Sequence, residues 1–145
     1  MNSGKFVYVT YIATTPEKVW DALIKGDLTR QYFMHENVSD WKVGSKWEMI
    51  ADDAERTVRH VGKVVEIAPP KHLVLTWADP ADDADVAKHS RVAFDIETVT
   101  EMVRLTVTHE ELSTDMQQRI SNGWPRVLSS LKSFLETGTP LNTWA

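Results

Sequence analysis

The 145-residue chain contains no cysteine. Disulfide bonds, thiolate metal sites and cysteine nucleophiles are therefore excluded, and a chain without cysteine fits the reducing cytosol. Long apolar runs are also missing, since no stretch approaches the roughly 20 residues that a membrane-spanning helix needs. The apolar segment FVYVTYIA near the N-terminus is short and runs directly into the polar TTPEK, so it predicts a β-strand. These absences predict a cytoplasmic protein without a membrane span.

The chain has little excess of either positive or negative charge. The net charge is only −5, and the 16 Lys and Arg residues are scattered along the chain. Proteins that bind a phosphate backbone usually concentrate such residues on one face, so nucleic acid is not an expected partner. Apolar residues make up 42% and charged residues 26%, which is the balance of a folded globular chain. The length predicts one domain with a single core.

Motifs for catalysis or metal binding are scarce as well. The sequence has no serine in a nucleophile elbow, no glycine-rich phosphate loop and no carboxylate pair with an evident partner. Its five histidines show no metal-ligand spacing, and the acidic stretch 79–85 lacks the spacing and the central glycine of a calcium loop. We therefore expect no metal and no cofactor, we interpret the acidic stretch as a solvated hairpin tip, and we find no positive sign of an enzyme.

The N-terminal third predicts a strand and two short helices. Residues 6–13 are rich in β-branched and aromatic side chains, which favour a strand. Thr15 suits a helix N-cap and Pro16 the first helical position, and apolar residues follow at helical spacing until Gly26, which predicts the end of this helix. Asp27 is expected to cap a second short helix, DLTRQYF.

The middle of the chain changes to an alternating period that is typical of β-strands. Strands are predicted at 38–41, 46–51, 57–67, 73–78, 89–99 and 101–111. The alternation is clearest in the last two, where apolar residues share one parity and charged residues occupy or lie close to the other. This pattern predicts an antiparallel sheet that is covered on one face only.

A long amphipathic helix is predicted from about Ser113 to Thr137. Apolar residues recur at steps of three and four along it, and Gly138 followed by Pro140 predicts its end. Its segment GWPRVLSSLKSFLETG contains Pro125, which removes one backbone hydrogen bond and crowds the carbonyl four residues earlier. We therefore predict a bend at residues 123–125, which either shapes a pocket or only relieves crowding around a core tryptophan.

Four segments carry a resemblance to a known family. In order along the chain, PEKVWDAL, VVEIAPPKHLVLTW, LTVTHEEL and GWPRVLSSLKSFLETG resemble recurring segments of the START-like superfamily, specifically of the family named for the activator of heat-shock-protein-90 ATPase. The resemblance implies one START-like domain over residues 1–145, with an α+β helix-grip fold. In that fold a curved antiparallel sheet wraps around the long C-terminal helix and leaves an elongated apolar cavity. The superfamily contains carriers, receptors and enzymes, so the fold alone implies no reaction.

A single helix cannot cover a sheet of six or seven strands, so the space between them is a cavity or is filled by large side chains. Trp41 is assigned to a strand that could line this space, His109 matches a strand end of the family and turns inward by its parity, and Trp144 falls in a C-terminal tail. The expected ligand-binding residues turn toward the first half of the helix and are Trp47, Met49, His60, Trp77, Phe94, His109, Met116, Ile120 and Trp124.

Three functions remain open at this point. The favoured one is a binding module that holds a hydrophobic or aromatic small molecule in the cavity. The alternative is a co-chaperone-like domain that contacts a heat-shock-protein-90-type ATPase, although the additional N-terminal domain of the namesake has no counterpart in this sequence. A cyclase or hydrolase would need polar groups inside the cavity, and His109 with His60 or Tyr8 is the only combination considered. The sequence leaves both a monomer and a homodimer open.

Overall fold

The computed structural model describes residues 3–141, and the tail with Trp144 lies outside them. The elements follow one another in the order β1 (Gly4–Ile12), α1 (Pro16–Ile24), α2 (Gly26–Phe33), β2 (His35–Ser39), β3 (Lys46–Ala51), β4 (Val58–Ala68), β5 (His72–Trp77), β6 (Ser90–Val99), β7 (Met102–Leu112) and α3 (Thr114–Thr137). Two short 3₁₀ turns, Pro80–Asp82 and Val86–Lys88, lie between β5 and β6.

The strands form one sheet of seven in the order β1-β7-β6-β5-β4-β3-β2, and every neighbouring pair is antiparallel. The sheet is curved and α3 packs against it, which confirms the predicted α+β helix-grip fold. The buried core is built from the inward parity of the strands and the apolar stripe of α3. The five strands predicted between residues 46 and 111 are observed within one residue at each end.

The strand predicted around 38–41 is present, but its bounds are wrong, because β2 runs from His35 to Ser39 and Trp41 lies after it. Trp41 has a φ of 55°, in the left-handed region, and its backbone N–H donates to the Ser39 hydroxyl at 3.0 Å. This turn removes Trp41 from the sheet.

The first helix is capped as predicted, since the Thr15 hydroxyl accepts from the backbone N–H of Lys18 at 3.4 Å. The predicted cap of the second helix is wrong, because Lys25 occupies that position without a side-chain bond and Asp27 lies inside the first turn. The backbone of Lys25 both ends α1 and begins α2, so Gly26 opens the second helix instead of ending the first.

The last helix runs unbroken from Thr114 to Thr137 through Pro125, with Ser113 as its N-cap and Gly138 in the left-handed conformation after it. Its bend stays a prediction. The hydroxyls of Ser121 and Ser129 donate to the carbonyls four residues earlier, at 2.7 and 2.6 Å, one turn on each side of the proline. Such bonds often accompany a bent helix.

Side chains of α3 also reach the first strand, which is the end strand of the sheet. Gln117 Nε2 donates to the Lys5 carbonyl at 3.0 Å, and Lys132 Nζ donates to the Tyr11 carbonyl. Just after the strand, the Ala13 backbone N–H donates to Glu136 Oε2 at 2.8 Å. The helix is therefore tied to β1 at both of its ends.

Replacing Leu131 by alanine is expected to destabilise the domain by ~2–5 kcal/mol, because the side chain is fully buried and its loss leaves a cavity. Urea unfolding measures this loss. Leu141→Ala is a matched control, since that leucine is 45% exposed and surface changes usually stay within about 0.5 kcal/mol. A loss below about 1 kcal/mol for Leu131→Ala would show a loosely packed helix.

Candidate functional site

A cavity of about 190 Å³ lies between the first half of α3, the end of α2 and strands β4 and β5. Nearly all of its surface is apolar. Its lining residues are Phe33, His60, Trp77, Met116, Arg119, Ile120, Gly123, Trp124 and Val127. We call this space the outer chamber. A Cβ placed on Gly123 would meet no atom within 4 Å, so this glycine faces open space.

A second, smaller cavity of about 30 Å³ lies deeper in the core, and we call it the inner chamber. It is lined by α1, α2 and strands β2, β3, β5 and β6 as well as by α3. Four residues border both chambers and separate them: Phe33, Trp77, Trp124 and Val127. The elongated cavity that the family resemblance implies is thus divided into two spaces by side chains.

The predicted site residues are distributed over both chambers. Five of them line the outer chamber: His60, Trp77, Met116, Ile120 and Trp124. Trp47, Met49 and Phe94 line the inner chamber, which Trp77 and Trp124 also border. His109 lines neither chamber, although its ring contacts Trp77 and Trp124. Whether these residues bind a ligand stays a prediction.

Ten lining residues are absent from the predicted set: Phe33, Arg119, Gly123 and Val127 at the outer chamber, and Leu23, Tyr32, Asn37, Leu73, Leu75 and Leu128 at the inner one. Val127 follows Trp124 by three positions on the same helical face, so helical spacing could have identified it. Phe33 and Asn37 come from α2 and β2, and no local pattern shows that these elements fold against α3.

Trp77, at the end of β5, stands at the centre of an aromatic cluster. The centroid of its ring lies 4.6 Å from that of His60, 5.2 Å from Trp47, 5.4 Å from His109 and 5.7 Å from Trp124. Aromatic pairs at these separations attract one another beyond their simple burial. Two members of this cluster, Trp77 and Trp124, border both chambers.

His109 is fully buried and uses both ring nitrogens. Trp124 Nε1–H donates to His109 Nδ1 at 3.2 Å, so the proton of the neutral ring lies on Nε2. Nε2 then donates to the Ser90 hydroxyl at 2.8 Å, and that hydroxyl donates to the Trp77 carbonyl at 3.0 Å. Burial lowers the pKa of His109 to about 3, and nearby His60 adds to the lowering. His109 is therefore neutral near pH 7 and orients the Trp124 ring through this hydrogen bond.

The acidic stretch is largely exposed, as predicted for a hairpin connection, but ion pairs hold it against the mouth of the outer chamber. Asp79 Oδ2 lies 3.3 Å from a guanidinium nitrogen of Arg119, and its Oδ1 lies 3.7 Å from His60 Nδ1. Asp83 pairs with Lys46 at 3.2 Å. Burial lowers the pKa of His60 to about 4, although the Asp79 carboxylate opposes this. These partners are distant in sequence, so the local pattern could not reveal them.

Other groups considered for chemistry are not brought together. Tyr8 stacks on Phe6 at 6.4 Å and lines neither chamber. Among residues 3–141, no group of three or more His, Cys, Asp or Glu side chains is arranged to hold a metal ion. None of the helices in this part of the chain is long and apolar enough to cross a membrane.

A curved sheet wrapped around a C-terminal helix, with apolar space beneath that helix, defines a START-like domain. The sequence profile of the family described as "Activator of Hsp90 ATPase homolog 1-like protein" matches residues 13–136. The chain belongs to this family.

Solved structures show the same fold. The Aha1 dimer from Colwellia psychrerythraea is 23% identical, with 93% of this chain and 98% of that chain covered and a TM-score of 0.76. An HSP90 activator from Plasmodium falciparum is 21% identical, with 90% and 95% covered and a TM-score of 0.75. CalU16 from Micromonospora echinospora is 17% identical, with 92% and 77% covered and a TM-score of 0.74. No curated protein sequence matches.

Proposed function

We propose that this domain binds a small apolar or aromatic compound in the outer chamber. The supporting observation is a cavity of about 190 Å³ with an almost entirely apolar lining. An apolar cavity of about 150 Å³ holds benzene, whereas pockets for drug-sized ligands occupy roughly 300–1,000 Å³. The outer chamber therefore fits a compound of one or two rings and would not enclose a long acyl chain.

Burial of an apolar ring in this chamber is favoured by the removal of its surface from water, and aromatic walls add specific ring contacts. Arg119 contributes to the lining, but its guanidinium group is held by Asp79 and Asp115, each at 3.3 Å. A charged ligand group would have to compete with these carboxylates. This arrangement supports a neutral ligand.

Gly123→Leu is expected to abolish the binding of toluene, because the new side chain extends into the open space next to Gly123. Toluene is the probe, and saturable quenching of the fluorescence of Trp77 and Trp124, which border the chamber, measures its binding. Overpacking typically costs only ~1–3 kcal/mol, so circular dichroism should show a folded variant.

Gly123→Ala is the matched control for this test. Its Cβ meets no atom within 4 Å, so toluene binding should persist. The alanine should also stabilise the helix by about 1 kcal/mol relative to glycine. Unchanged toluene binding in Gly123→Leu, or no binding by the unmodified domain, would contradict the proposal.

The second candidate function is a co-chaperone-like role on a heat-shock-protein-90-type ATPase. The family membership supports it, and one of the similar structures is described as an HSP90 activator. The ATPase rate of the heat-shock-protein-90 of the same organism, measured with and without the domain, tests this role. A rise in rate that Gly123→Leu leaves unchanged, together with no toluene binding, would favour the co-chaperone role over the binding module.

A further inference from the structure

Two residues that line the inner chamber each have a buried polar side-chain atom that lacks a hydrogen-bond partner among the residues that the structure describes. One of these atoms is Trp77 Nε1, on a side chain that is 95% buried, and the other is Asn37 Oδ1. An indole N–H can only donate, and an amide oxygen can only accept. A buried polar atom without a partner is costly, and such atoms are rare in folded proteins.

The orientation of the Asn37 amide is fixed by its other contacts. Its Nδ2 donates to the Leu23 carbonyl at 3.1 Å, and its backbone N–H lies 3.2 Å from the hydroxyl oxygen of Thr29. Rotating the amide by 180° would place two acceptor oxygens against each other at Leu23. The amide oxygen is therefore the unpaired atom.

The inner chamber has room for one small polar group. Its volume of about 30 Å³ exceeds the roughly 10–15 Å³ that a cavity needs to hold one water molecule. Three other polar groups of its lining side chains already have partners: the Tyr32 hydroxyl donates to the Ala22 carbonyl at 2.8 Å, Trp47 Nε1 donates to the Thr76 carbonyl at 2.7 Å, and Trp124 Nε1 donates to His109 Nδ1 at 3.2 Å. Among the polar groups of the lining side chains, one donor, Trp77 Nε1–H, and one acceptor, Asn37 Oδ1, are thus left without a partner.

We propose that the ligand is an aromatic compound with a single hydroxyl group, a phenol, whose ring fills the outer chamber and whose hydroxyl enters the inner one. Trp77 borders both chambers, so its N–H can meet a group that passes between them. A hydroxyl both donates and accepts, which allows it to accept from Trp77 Nε1–H and to donate to Asn37 Oδ1. The inference rests on the proposed binding function and specifies the ligand class.

Toluene and phenol provide the test, since they have nearly the same shape and differ by a methyl and a hydroxyl group. In a chamber without polar partners, an unpaired hydroxyl loses about 1–3 kcal/mol, so phenol should bind about tenfold more weakly than toluene or worse. With the two unpaired atoms as partners, phenol should bind at least as tightly as toluene. Isothermal titration calorimetry measures both affinities.

Trp77→Phe and Asn37→Leu should each lower the ratio of phenol to toluene affinity by about three- to tenfold, which corresponds to one net hydrogen bond. Toluene binding by each variant shows that the fold and the outer chamber persist. His60→Phe is the comparison variant, because it removes the third polar atom without a hydrogen-bond partner, His60 Nδ1. His60 lines only the outer chamber, and its Nδ1 lies 3.7 Å from the Asp79 carboxylate. The affinity ratio of His60→Phe should not change.

A second measurement, by proton NMR, follows phenol binding in the unmodified domain. Phenol, but not toluene, should shift the indole N–H proton resonance of Trp77 downfield, with Trp77→Phe assigning that resonance. If toluene binds and phenol binds at least tenfold more weakly, the hydroxyl inference is overturned while the binding function stands. If only His60→Phe lowers the ratio, the hydroxyl lies elsewhere and the inference is also overturned. If neither compound binds, the binding function itself fails.

Discussion

Replacing Gly62 by alanine is expected to destabilise the domain by more than about 4 kcal/mol, a loss that few single substitutions reach. A Cβ at this position would overlap the Thr76 carbonyl oxygen and lie 2.6 Å from Trp47 Nε1. The same carbonyl accepts the hydrogen bond of Trp47 Nε1–H at 2.7 Å. Strand backbone and a fully buried tryptophan cannot shift cheaply, so β4 and β5 would have to separate.

Urea unfolding measures this loss, and Gly123→Ala is the control, since it makes the same chemical change in open space. The two alanine variants should change stability in opposite directions. A loss below about 1 kcal/mol for Gly62→Ala would show that the strands move aside easily and that Trp47 is not held tightly against β5.

Acid is expected to destabilise the domain strongly through His109, which is fully buried, and through His60, which is partly buried. The pKa of His109 falls from 6.5 to about 3 on folding, so the unfolded chain takes up this proton first. The stabilisation is complete above pH 6.5 and is lost as the pH falls from 6.5 toward 3. At pH 5 the loss from His109 is about 2 kcal/mol. His60, whose pKa falls to about 4, adds a loss in the same direction.

His72 works in the opposite direction. Its Nε2 lies 2.8 Å from Glu66 Oε2 and its Nδ1 lies 2.6 Å from Asp95 Oδ1, and these bonds raise its pKa above 6.5. Its contribution to stability is therefore complete below pH 6.5 and is lost as the pH rises through its folded-state pKa. The side chain of His72 is partly exposed, so solvent screens its charge interactions, and the effects of His109 and His60 dominate.

Urea unfolding at pH 7 and at pH 5 tests this assignment. His109→Gln keeps one donor and one acceptor but does not titrate, so the stability difference between the two pH values should shrink by about 2 kcal/mol. His72→Gln should not shrink it. An unchanged pH dependence in His109→Gln would mean that other groups cause the acid sensitivity.

The sequence predicts most of the sheet because the two-residue period is imposed directly by the burial of one face. The inward parity of the strand after Thr100 places His109 in the core, as the structure confirms. The prediction that Trp41 lies in a strand is wrong because its left-handed backbone conformation lies outside the sheet, and a short apolar run does not show backbone conformation.

The site is only partly predictable for a related reason. Side chains on strands and on α3 follow periodic rules, so most of the wall can be assigned from parity and helical spacing. Asn37 and the link between Asp79 and Arg119 depend on how distant segments pack together, which no local period specifies. The division into two chambers depends on the orientation of the bordering aromatic rings, and His109 fixes one of these through a hydrogen bond to Trp124.

The bonds from α3 to the first strand have a consequence for the behaviour of this protein at high concentration. An end strand offers unpaired backbone groups that template the addition of strands from other molecules. Here two carbonyls of β1, at Lys5 and Tyr11, are occupied by side chains of the protein's own helix, one of them a charged lysine. Detachment of α3 would free this edge beside the exposed side chains of Val7 and Val9, so local opening of the helix and aggregation are physically coupled.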